Sequence, residues 1–299
     1  MAAGAIRQGK HEGYYSVNEE TFFAEKDLVK DESVNPPIFR TEAGERVELL
    51  TERNYVFDIR AEMRAGIKDW VLKPGSVVPE TIRNKVISEI ESRKDDISVS
   101  RPTDRIHWGL RVPGDESQTI YVWLDALVNY LTVLGYPSEC DSSQFVHVVG
   151  KDIAKFHCVY WPAFLKGAGL PLPRKVLNHG HWLMNKTKMS KSLGNVVDPF
   201  ALINDVGINS VRSYFLSEGP LTKDSNFELE GLIAHHNKVV CDSYVNMLFR
   251  ITGKKILRDR TFIPGSSLDP ALISAVNSLS TTIRDHLSEY NFIEAFANL

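Results

Sequence analysis

Three apolar runs in the middle of the chain predict buried strands. They cover residues 120–127, 145–150 and 176–179, and each is nearly continuous in apolar side chains, as in strands buried on both faces. Between the last two runs, residues 152–166 carry large apolar side chains at helical spacing, and Gly150 ends the earlier run. A strand, a helix and a second strand in this order predict a βαβ unit of a parallel sheet. The hydrophobic pattern therefore indicates an α/β fold.

The flanking regions combine short strands with further helices. The N-terminal part predicts, in order, a turn and strand over residues 9–17, hairpins and loops over 24–54, a helix over about 57–73, a helix from Pro79 and a short strand over 97–99. The C-terminal part predicts helices within 198–217 and 230–255. A last helix begins with Asp269 as its N-cap and Pro270 behind it, and it carries an apolar stripe of Leu272, Val276, Leu279, Ile283 and Leu287.

Small and polar residues follow the predicted strands at their carboxyl ends, where ligands bind in parallel sheets. They are Gly150, Lys151, Asp152, His179 and Gly180. After one short connection comes the lysine loop, Lys188-Met189-Ser190-Lys191-Ser192. Two lysines with hydroxyl side chains between and after them can bring two cations and several hydrogen-bond donors to an anionic ligand. Two lysines at this spacing alone are more often part of a solvated surface loop.

Composition and charge limit the classes of protein to consider. The 299 residues are 43% hydrophobic and 24% charged, as in soluble globular proteins. The 35 basic and 38 acidic residues nearly balance, so any nucleic-acid interface must be a local basic patch. The three cysteines are far apart and form no CxxC pair, which predicts a reducing compartment and no structural zinc. No apolar run approaches the length of a membrane span, so no membrane partner is expected.

Two polar features allow more than one interpretation from the residues alone. Arg101, at the end of a short predicted strand, suits either a bidentate contact with phosphate or carboxylate, or a salt bridge to a nearby aspartate. The aspartates within reach are Asp95, Asp96 and Asp104. His179 and His181 suggest a metal pair, but we expect no metal there.

Four motifs in this order resemble methionyl-tRNA synthetases, most closely their bacterial and mitochondrial branch. They are Tyr121-Val-Trp-Leu-Asp-Ala126 with Asn129-Tyr130, Gly150-Lys-Asp-Ile-Ala-Lys-Phe-His157, His179-Gly-His-Trp182 and the KMSKS signature Lys188-Met-Ser-Lys-Ser192. The resemblance runs through nearly the whole chain. It implies the C-terminal half of a class I, Rossmann-type catalytic domain followed by a partial α-helical anticodon-binding bundle. The segments it implies are a remnant of the connective insertion (1–55), the second catalytic half (56–226) and the partial bundle (227–299).

The resemblance also implies a methionine pocket. Its residues would be Trp123, Ala126, Tyr130, Ile153 and His157. Aromatic walls suit a thioether, which is polarizable and contacts ring edges favourably. Without the resemblance, Trp123 and Tyr130 would be interpreted as core residues, and His157 as a core histidine with a satisfied hydrogen bond.

By the same resemblance, ATP and Mg²⁺ would bind beside this pocket. The implied ATP-binding residues are Gly150, Asp152, His179, Gly180, Trp182 and Lys191. Lys188 and Lys191 would neutralise the leaving pyrophosphate, and Arg101 would assist them. The expected reaction is the activation of L-methionine with ATP and its transfer to tRNA(Met).

The C-terminal helices would read the anticodon, because Asn246 and Arg250 match family positions and lie four apart, on one helix face. Nearby basic residues supply the local positive patch, namely Lys238, Lys254, Lys255, Arg258 and Arg260. Without the resemblance, a solvated basic helix end is the alternative.

The family's His-x-Gly-His signature does not occur in the sequence. We therefore expect a fragment with little activity by itself. A catalytically inactive tRNA-binding isoform and a sister synthetase for leucine, valine, isoleucine or cysteine are the alternatives. The resemblance implies a monomer in the mitochondrial matrix, although no transit peptide is visible; a cytoplasmic location is the alternative.

Overall fold

The chain is described by a computed structural model covering residues 4–17, 21–23, 25–34, 36–41, 44–92, 96–138, 141–190, 193–219, 221, 223–257 and 269–297. It divides into two compact units. Unit 1 comprises Met1–Ser76, Arg83–His147 and Ala154–Val176, and unit 2 comprises Val77–Ile82, Val148–Ile153 and Leu177–Leu299. The three sequence segments proposed above follow different boundaries, and they stay a prediction.

The strands, in chain order, are β1 (Ile6–Ser16), β2 (Thr21–Phe23), β3 (Val29–Asp31), β4 (Ile38–Arg40), β5 (Arg46–Phe57), β6 (Val77–Val78), β7 (Ile97–Ser98), β8 (Ser100–Pro102), β9 (Arg111–Val112), β10 (Asp115–Ile120), β11 (Val146–Gly150), β12 (Lys175–His179), β13 (Trp182–Met184), β14 (Thr187–Lys188) and β15 (Ser225–Asn226). The helices are α1 (Ala61–Leu72), α2 (Glu80–Ser92), α3 (Val122–Val133), α4 (Trp161–Gly167), α5 (Pro199–Val206), α6 (Ile208–Ser217), α7 (Leu229–His236), α8 (Asn246–Thr252), α9 (Lys254–Leu257), α10 (Pro270–Ser288) and α11 (Phe292–Ala297). Short 3₁₀ turns cover Glu25–Asp27, Ser142–Gln144 and Lys151–Ile153, and wider π turns cover Phe156–Tyr160 and Asn237–Val245.

Unit 1 is built on an antiparallel sheet in the order β2-β1-β5-β4-β3, with β7 also paired to β5. The long pair β1–β5 runs in register from Ile6 opposite Phe57 to Tyr15 opposite Glu48. Helices α1 and α4 pack against each other, and the Trp70 indole donates to the Pro173 carbonyl at 2.8 Å. Phe57 contacts Phe164 edge to face. These contacts hold α4, the helix that directly follows the π turn Phe156–Tyr160.

The prediction of a strand over residues 120–127 is wrong. Strand β10 ends at Ile120, and helix α3 begins at Val122. On this helix Leu127 and Leu131 are four apart and buried, whereas Val122 and Val128 are exposed. A continuous apolar run fits a buried strand and a helix equally well. The joint burial of Leu127 and Leu131 on one face favours the helix.

The predicted helix over residues 57–73 begins too early. Residues up to Phe57 belong to β5, where Phe57 pairs with both Ile6 and Ile97, and α1 starts only at Ala61. The helix from Pro79 is confirmed as α2, and the strands near 145–150 and 176–179 are confirmed as β11 and β12. The predicted burial on both faces holds for β12 but is wrong for β11, where Val148 is 62% exposed. The connection between these strands is helical, as predicted, but a π turn interrupts it.

Strands β11, β12 and β6 form a three-stranded sheet in that order, and we call β11 and β12 the central strands. Their carboxyl ends belong to unit 2. The Asn178 side chain donates to the Val78 carbonyl at 3.1 Å in this sheet. A second small sheet has the order β14-β13-β15. A core of Leu202, Val211, Tyr214, Phe227 and Leu232 lies under it, and Trp182 packs on this core.

The C-terminal helices follow the predicted positions. The Asp269 side chain caps α10 by accepting from the Ala271 amide at 2.8 Å, as the sequence predicts. The apolar stripe of α10 is largely exposed; Leu272, Val276, Leu279 and Leu287 each expose more than two fifths of their surface. Among the described residues, the helices are all too short or too polar to cross a membrane.

Candidate active site

Six ring-bearing residues of unit 1 pack together, and we call them the aromatic cluster. They are Trp123, Tyr130, His147, Phe156, His157 and Trp161. Trp123 and Tyr130 are seven residues apart on α3, two helical turns, so they face the same side. Trp123 stacks on Phe156, with ring centroids 3.8 Å apart and planes within 7°. The helix therefore presents two predicted pocket residues to the π turn.

His157 is the polar centre of the aromatic cluster. It is buried, and its Nε2 lies 2.8 Å from the Tyr130 hydroxyl, at hydrogen-bond distance. Its ring also packs edge to face with Trp123, with ring centroids 6.2 Å apart. The π turn Phe156–Tyr160 carries both His157 and Phe156, and such turns occur frequently at functional sites. The structure thus brings together three of the five residues predicted for methionine.

The other two predicted pocket residues have different surroundings. Ala126 is exposed on α3, between Trp123 and Tyr130 on the same helix face. Ile153 belongs to unit 2, where it ends the 3₁₀ turn Lys151–Ile153. The methionine roles of both residues stay predictions.

The sequence did not single out Phe156, Trp161 or His147. Phe156 and Trp161 fell within the predicted helix as apolar-face residues, and His147 lay in a strand run. His147 is 4% exposed, and its Nε2 has no hydrogen-bond partner among the described residues. Burial, and then the charge of His157, lowers the pKa of His147 to about 4. The available signal for His147 was its place in an apolar run, because burying a polar imidazole costs free energy and can indicate a functional position.

We expect the free energy of unfolding to fall by about 2 kcal/mol between pH 7.5 and pH 5 because of His147. Its folded pKa of about 4 lies below the ordinary value of 6.5, so the unfolded chain binds a proton that the folded chain does not in this window. Urea unfolding of the wild type and His147→Phe at both pH values measures the difference. A variant that loses stability with falling pH as steeply as the wild type contradicts the assignment.

In unit 2, charged and small residues meet at the carboxyl ends of β11 and β12, and we call them the strand-end cluster. They are Gly150, Lys151, Asp152, Gly180, His181, Lys188 and Asp224. Asp152 accepts from the Lys188 ammonium at 3.0 Å, and His181 Nε2 lies 3.8 Å from the same carboxylate. Burial opposes the ionisation of Asp152, but Lys188 outweighs it and the pKa of Asp152 is lowered. The pair is about half exposed, so it contributes little to stability.

A side chain at either strand end would approach its neighbours closely, and at Gly180 the closest neighbours are backbone atoms, so glycine is required there. A Cβ on Gly150 would lie 2.6 Å from Oδ1 of Asp152, and one on Gly180 would lie 2.5 Å from the Lys223 carbonyl oxygen. Glycine thus lets the chain turn closely around the carboxylate that follows β11. The predicted nucleotide residues Gly150, Asp152 and Gly180 therefore lie in one cluster.

Two other predicted ATP-binding residues, His179 and Trp182, make contacts of their own. The His179 ring, through Nδ1, donates to the Gly180 carbonyl at 2.8 Å. Trp182 packs edge to face on Phe215, with centroids 4.9 Å apart, and is half-buried. Among the described residues, His, Cys, Asp and Glu side chains do not gather in a group of three or more that could hold a metal ion.

A tight hairpin presents the first residue of the lysine loop. Strands β13 and β14 are joined by Asn185 and Lys186, both with positive φ, as a type I′ turn requires. The Lys186 amide donates to the Asn226 side chain at 2.9 Å, which holds this turn. Lys188 follows immediately and points its ammonium at Asp152.

Asn195 closes the lysine loop from its far side. Its side-chain oxygen accepts from the Ser190 amide at 2.8 Å, and its Nδ2 donates to the Lys188 carbonyl at 3.2 Å. Lys191 and Ser192 lie outside the described residues. The predicted roles of Lys188 and Lys191 on pyrophosphate stay predictions.

Arg101 lies in the interior of unit 1. Its guanidinium stacks over the Tyr121 ring at 4.1 Å and donates to the Ser98 hydroxyl and the Ser100 carbonyl. The side chain is 2% exposed, and burial lowers its pKa. Asp96, one candidate for the alternative salt bridge, pairs with Arg7 instead. These contacts describe a structural residue of unit 1, and the catalytic role stays a prediction.

The predicted anticodon residues are accessible. Asn246 begins α8 and Arg250 follows one turn later, so both lie on one face, and both are exposed. Lys238, Lys254 and Lys255 are exposed as well, whereas Arg258 and Arg260 lie outside the described residues. The described part of this region is a solvated, basic helical surface.

Comparison with known proteins identifies the family of the chain. The family model described as tRNA synthetases class I (M) matches residues 31–252. The chain is 44% identical over 266 residues to a probable mitochondrial methionine–tRNA ligase of Schizosaccharomyces pombe, which covers 85% of this chain and 49% of that relative. It is 36% identical over 316 residues to the mitochondrial methionine–tRNA ligase of Homo sapiens, covering 98% of this chain and 53% of the human protein.

A solved structure supports the same assignment. The crystal structure of Mycobacterium tuberculosis methionyl-tRNA synthetase bound by methionyl-adenylate matches with a TM-score of 0.83 and 35% identity, over 99% of this chain and 59% of that one. The α/β fold is therefore that of a class I aminoacyl-tRNA synthetase, with part of the catalytic domain and a helical part, as predicted. The chain spans about half the length of the curated relatives it matches. It belongs to the methionyl-tRNA synthetase family.

Proposed function

We propose that the protein activates L-methionine with ATP and transfers it to tRNA(Met). The observation that carries this proposal is the aromatic cluster, in which Trp123 and the hydrogen-bonded Tyr130–His157 pair form a largely apolar wall with one polar point. A thioether is apolar and polarizable, so ring edges attract it, and a single hydroxyl is enough to contact its sulfur. The family membership reported above supports the same substrate.

The reaction has two steps in this proposal. An oxygen of the methionine carboxylate attacks the α-phosphorus of ATP, and the bond from that phosphorus to the bridging oxygen of pyrophosphate breaks. A ribose hydroxyl at the tRNA 3′ end then attacks the methionyl carbonyl carbon and releases AMP. Mg²⁺ enters with ATP as part of the substrate.

The strand-end cluster supplies the nucleotide contacts in this proposal. Gly150 and Gly180 allow the backbone to approach the nucleoside closely, and the Asp152 carboxylate accepts hydrogen bonds from ribose hydroxyls. The Lys188 ammonium is paired with the Asp152 carboxylate in the structure. When ribose hydroxyls bind Asp152, the Lys188 ammonium is released to contact phosphate. Lys188 and Lys191 neutralise the pyrophosphate, because cations stabilise the negative charge that develops on the leaving group.

The exposed Asn246 and Arg250 support anticodon reading by the C-terminal helices. Amide and guanidinium groups on one helix face can bond the edges of unstacked loop bases. The same surface supports a second candidate, a tRNA-binding isoform without turnover. The names of the relatives favour the mitochondrial matrix as the location. The proposed oligomeric state is a monomer.

We expect the 299-residue chain to bind L-methionine more tightly than L-norleucine, by about threefold to tenfold, and to bind L-leucine far more weakly. Norleucine has the same length but lacks the sulfur, so the comparison isolates the thioether contact. Isothermal titration calorimetry measures all three affinities. Equal affinities for methionine and leucine would contradict the proposal. Binding of tRNA(Met) without binding of methionine would favour the second candidate.

A further inference from the structure

Asp224 links the ends of two central strands in unit 2. Its Oδ1 accepts from the His181 backbone amide at 2.8 Å, just beyond β12. The same carboxylate binds the Lys151 ammonium, just beyond β11, at 2.7 Å through Oδ1 and 2.8 Å through Oδ2. One side chain thus holds two segments that are adjacent to the predicted nucleotide residues Gly150, Asp152 and Gly180.

The backbone around Asp224 is itself fixed against the segment it holds. The Ser225 amide donates to the His181 carbonyl at 3.0 Å, and the Phe227 amide donates to the Leu183 carbonyl at 2.8 Å. Gly180 lies directly against Lys223, where a Cβ would approach the carbonyl oxygen to 2.5 Å. Asp224 therefore extends from a rigid strand pairing, and its carboxylate has a defined position.

The ion pair with Lys151 is too exposed for stability to explain Asp224. The side chains of Asp224 and Lys151 are 30% and 40% exposed, and such pairs contribute little to the free energy of unfolding. The hydrogen bond to His181 is different, because it fixes the backbone immediately after Gly180. If this turn shifts, Gly180 and the carboxylate of Asp152, which faces His181, no longer keep their relative positions.

We propose that Asp224 is a positioning residue of the nucleotide site, holding the Gly180–His181 backbone and the Lys151 ammonium in the arrangement that receives the nucleoside. This inference rests on the proposed function, because it assigns the strand-end cluster to ATP. Asp224 itself does not contact the nucleotide in this role. It acts through the two segments that it joins.

Charge and position make opposite predictions at this residue. If Asp224 acted only as a negative charge, neutralising it would leave adenosine binding unchanged and would strengthen the binding of polyanionic ATP. If it positions the backbone, Asp224→Ala weakens the binding of uncharged adenosine. Asp224→Asn keeps an oxygen acceptor for the His181 amide and loses only the charge, so it retains adenosine binding.

The test measures adenosine and ATP affinities of the 299-residue chain by calorimetry. We expect Asp224→Ala to bind adenosine at least about tenfold more weakly, and Asp224→Asn to stay within about threefold of the wild type. Asp205→Ala removes an exposed aspartate of the same unit, on α5, and serves as the control for lost charge. Wild-type affinity in Asp224→Ala, or an equal loss in Asp224→Asn and Asp224→Ala, overturns the inference.

A second readout does not depend on nucleotide. Hydrogen exchange of the His181 backbone amide, followed by NMR in the free chain, should be at least about tenfold faster in Asp224→Ala than in the wild type and Asp205→Ala. Unchanged exchange overturns the positioning role even if the proposed function holds. A different result is faster exchange in Asp224→Ala together with a wild-type chain that binds neither adenosine nor ATP. This result overturns the proposed function and, with it, the nucleotide role of Asp224.

Discussion

Replacing Gly180 with alanine is expected to weaken ATP binding by about 100-fold and to lower the free energy of unfolding by about 1–3 kcal/mol. A Cβ at this position would lie 2.5 Å from the Lys223 carbonyl oxygen and 2.8 Å from its carbon. Both atoms are backbone, and the pairing of β15 with β13 holds the segment that follows them. The strain therefore moves the Gly180–His181 turn itself, which carries the proposed nucleotide contacts.

Gly231→Ala is the matched control for the Gly180 variant. Gly231 lies inside α7, where a Cβ would lie 3.2 Å from the Tyr214 hydroxyl, and its other neighbours, a Tyr214 ring carbon and the Glu228 Cβ, would be at 3.8 and 3.9 Å. Alanine is favoured over glycine within a helix by about 1 kcal/mol, so this variant should be as stable as the wild type or more stable. Calorimetry with ATP and urea unfolding measure both variants. If Gly180→Ala binds ATP as Gly231→Ala does, the backbone contact at Gly180 has no role in nucleotide binding.

Replacing Trp123 with alanine is expected to weaken methionine binding by about 30- to 150-fold, because loss of a partly buried aromatic wall costs about 2–3 kcal/mol. Trp123 contributes twice to the aromatic cluster. It offers its own ring beside His157, and it holds Phe156 in a parallel stack at 3.8 Å. Without it, Phe156 loses the surface that fixes its ring, and the wall beside Ala126 opens to water.

Trp108→Ala removes the same side chain elsewhere in unit 1 and serves as its control. Trp108 is 90% exposed in the loop before β9, so its loss should leave methionine affinity unchanged. Calorimetric titration with L-methionine compares the two variants. Equal affinity of Trp123→Ala and Trp108→Ala would mean that the aromatic cluster is only a core, the alternative that the residues alone favoured. Thermal melting verifies that Trp123→Ala is folded.

Local sequence patterns identified those elements that depend on neighbouring residues. Asp269 and Pro270 predicted the start of α10 because a side-chain cap acts within one helical turn. The strand runs near 145–150 and 176–179 appear as β11 and β12 because both are apolar along their length. Trp123, Tyr130 and His157 were found through their motifs, and their contact across 27 residues of sequence is consistent with a shared pocket.

Patterns failed where distant segments decided the outcome. The run at 120–127 is a helix because Leu127 and Leu131 are buried together, which periodicity in so short a stretch does not reveal. Arg101 is buried inside unit 1 against Ser98, Ser100 and the Tyr121 ring, which its local pattern did not indicate, and its role at a ligand stays a prediction. Local sequence does not show which other parts of the chain will pack against these side chains.

Residue types and their spacing along the chain were enough to assign the family, the order of the motifs and the capped start of α10. These properties depend on residue type and short spacing, both of which are written along the chain. Only the tertiary structure decided which groups meet. Asp224 reaches Lys151 across 73 residues and the His181 amide across 43, and His147 is enclosed by rings from α3 and the π turn. Such contacts follow from how strands and helices pack, and packing joins residues without regard to their distance in sequence.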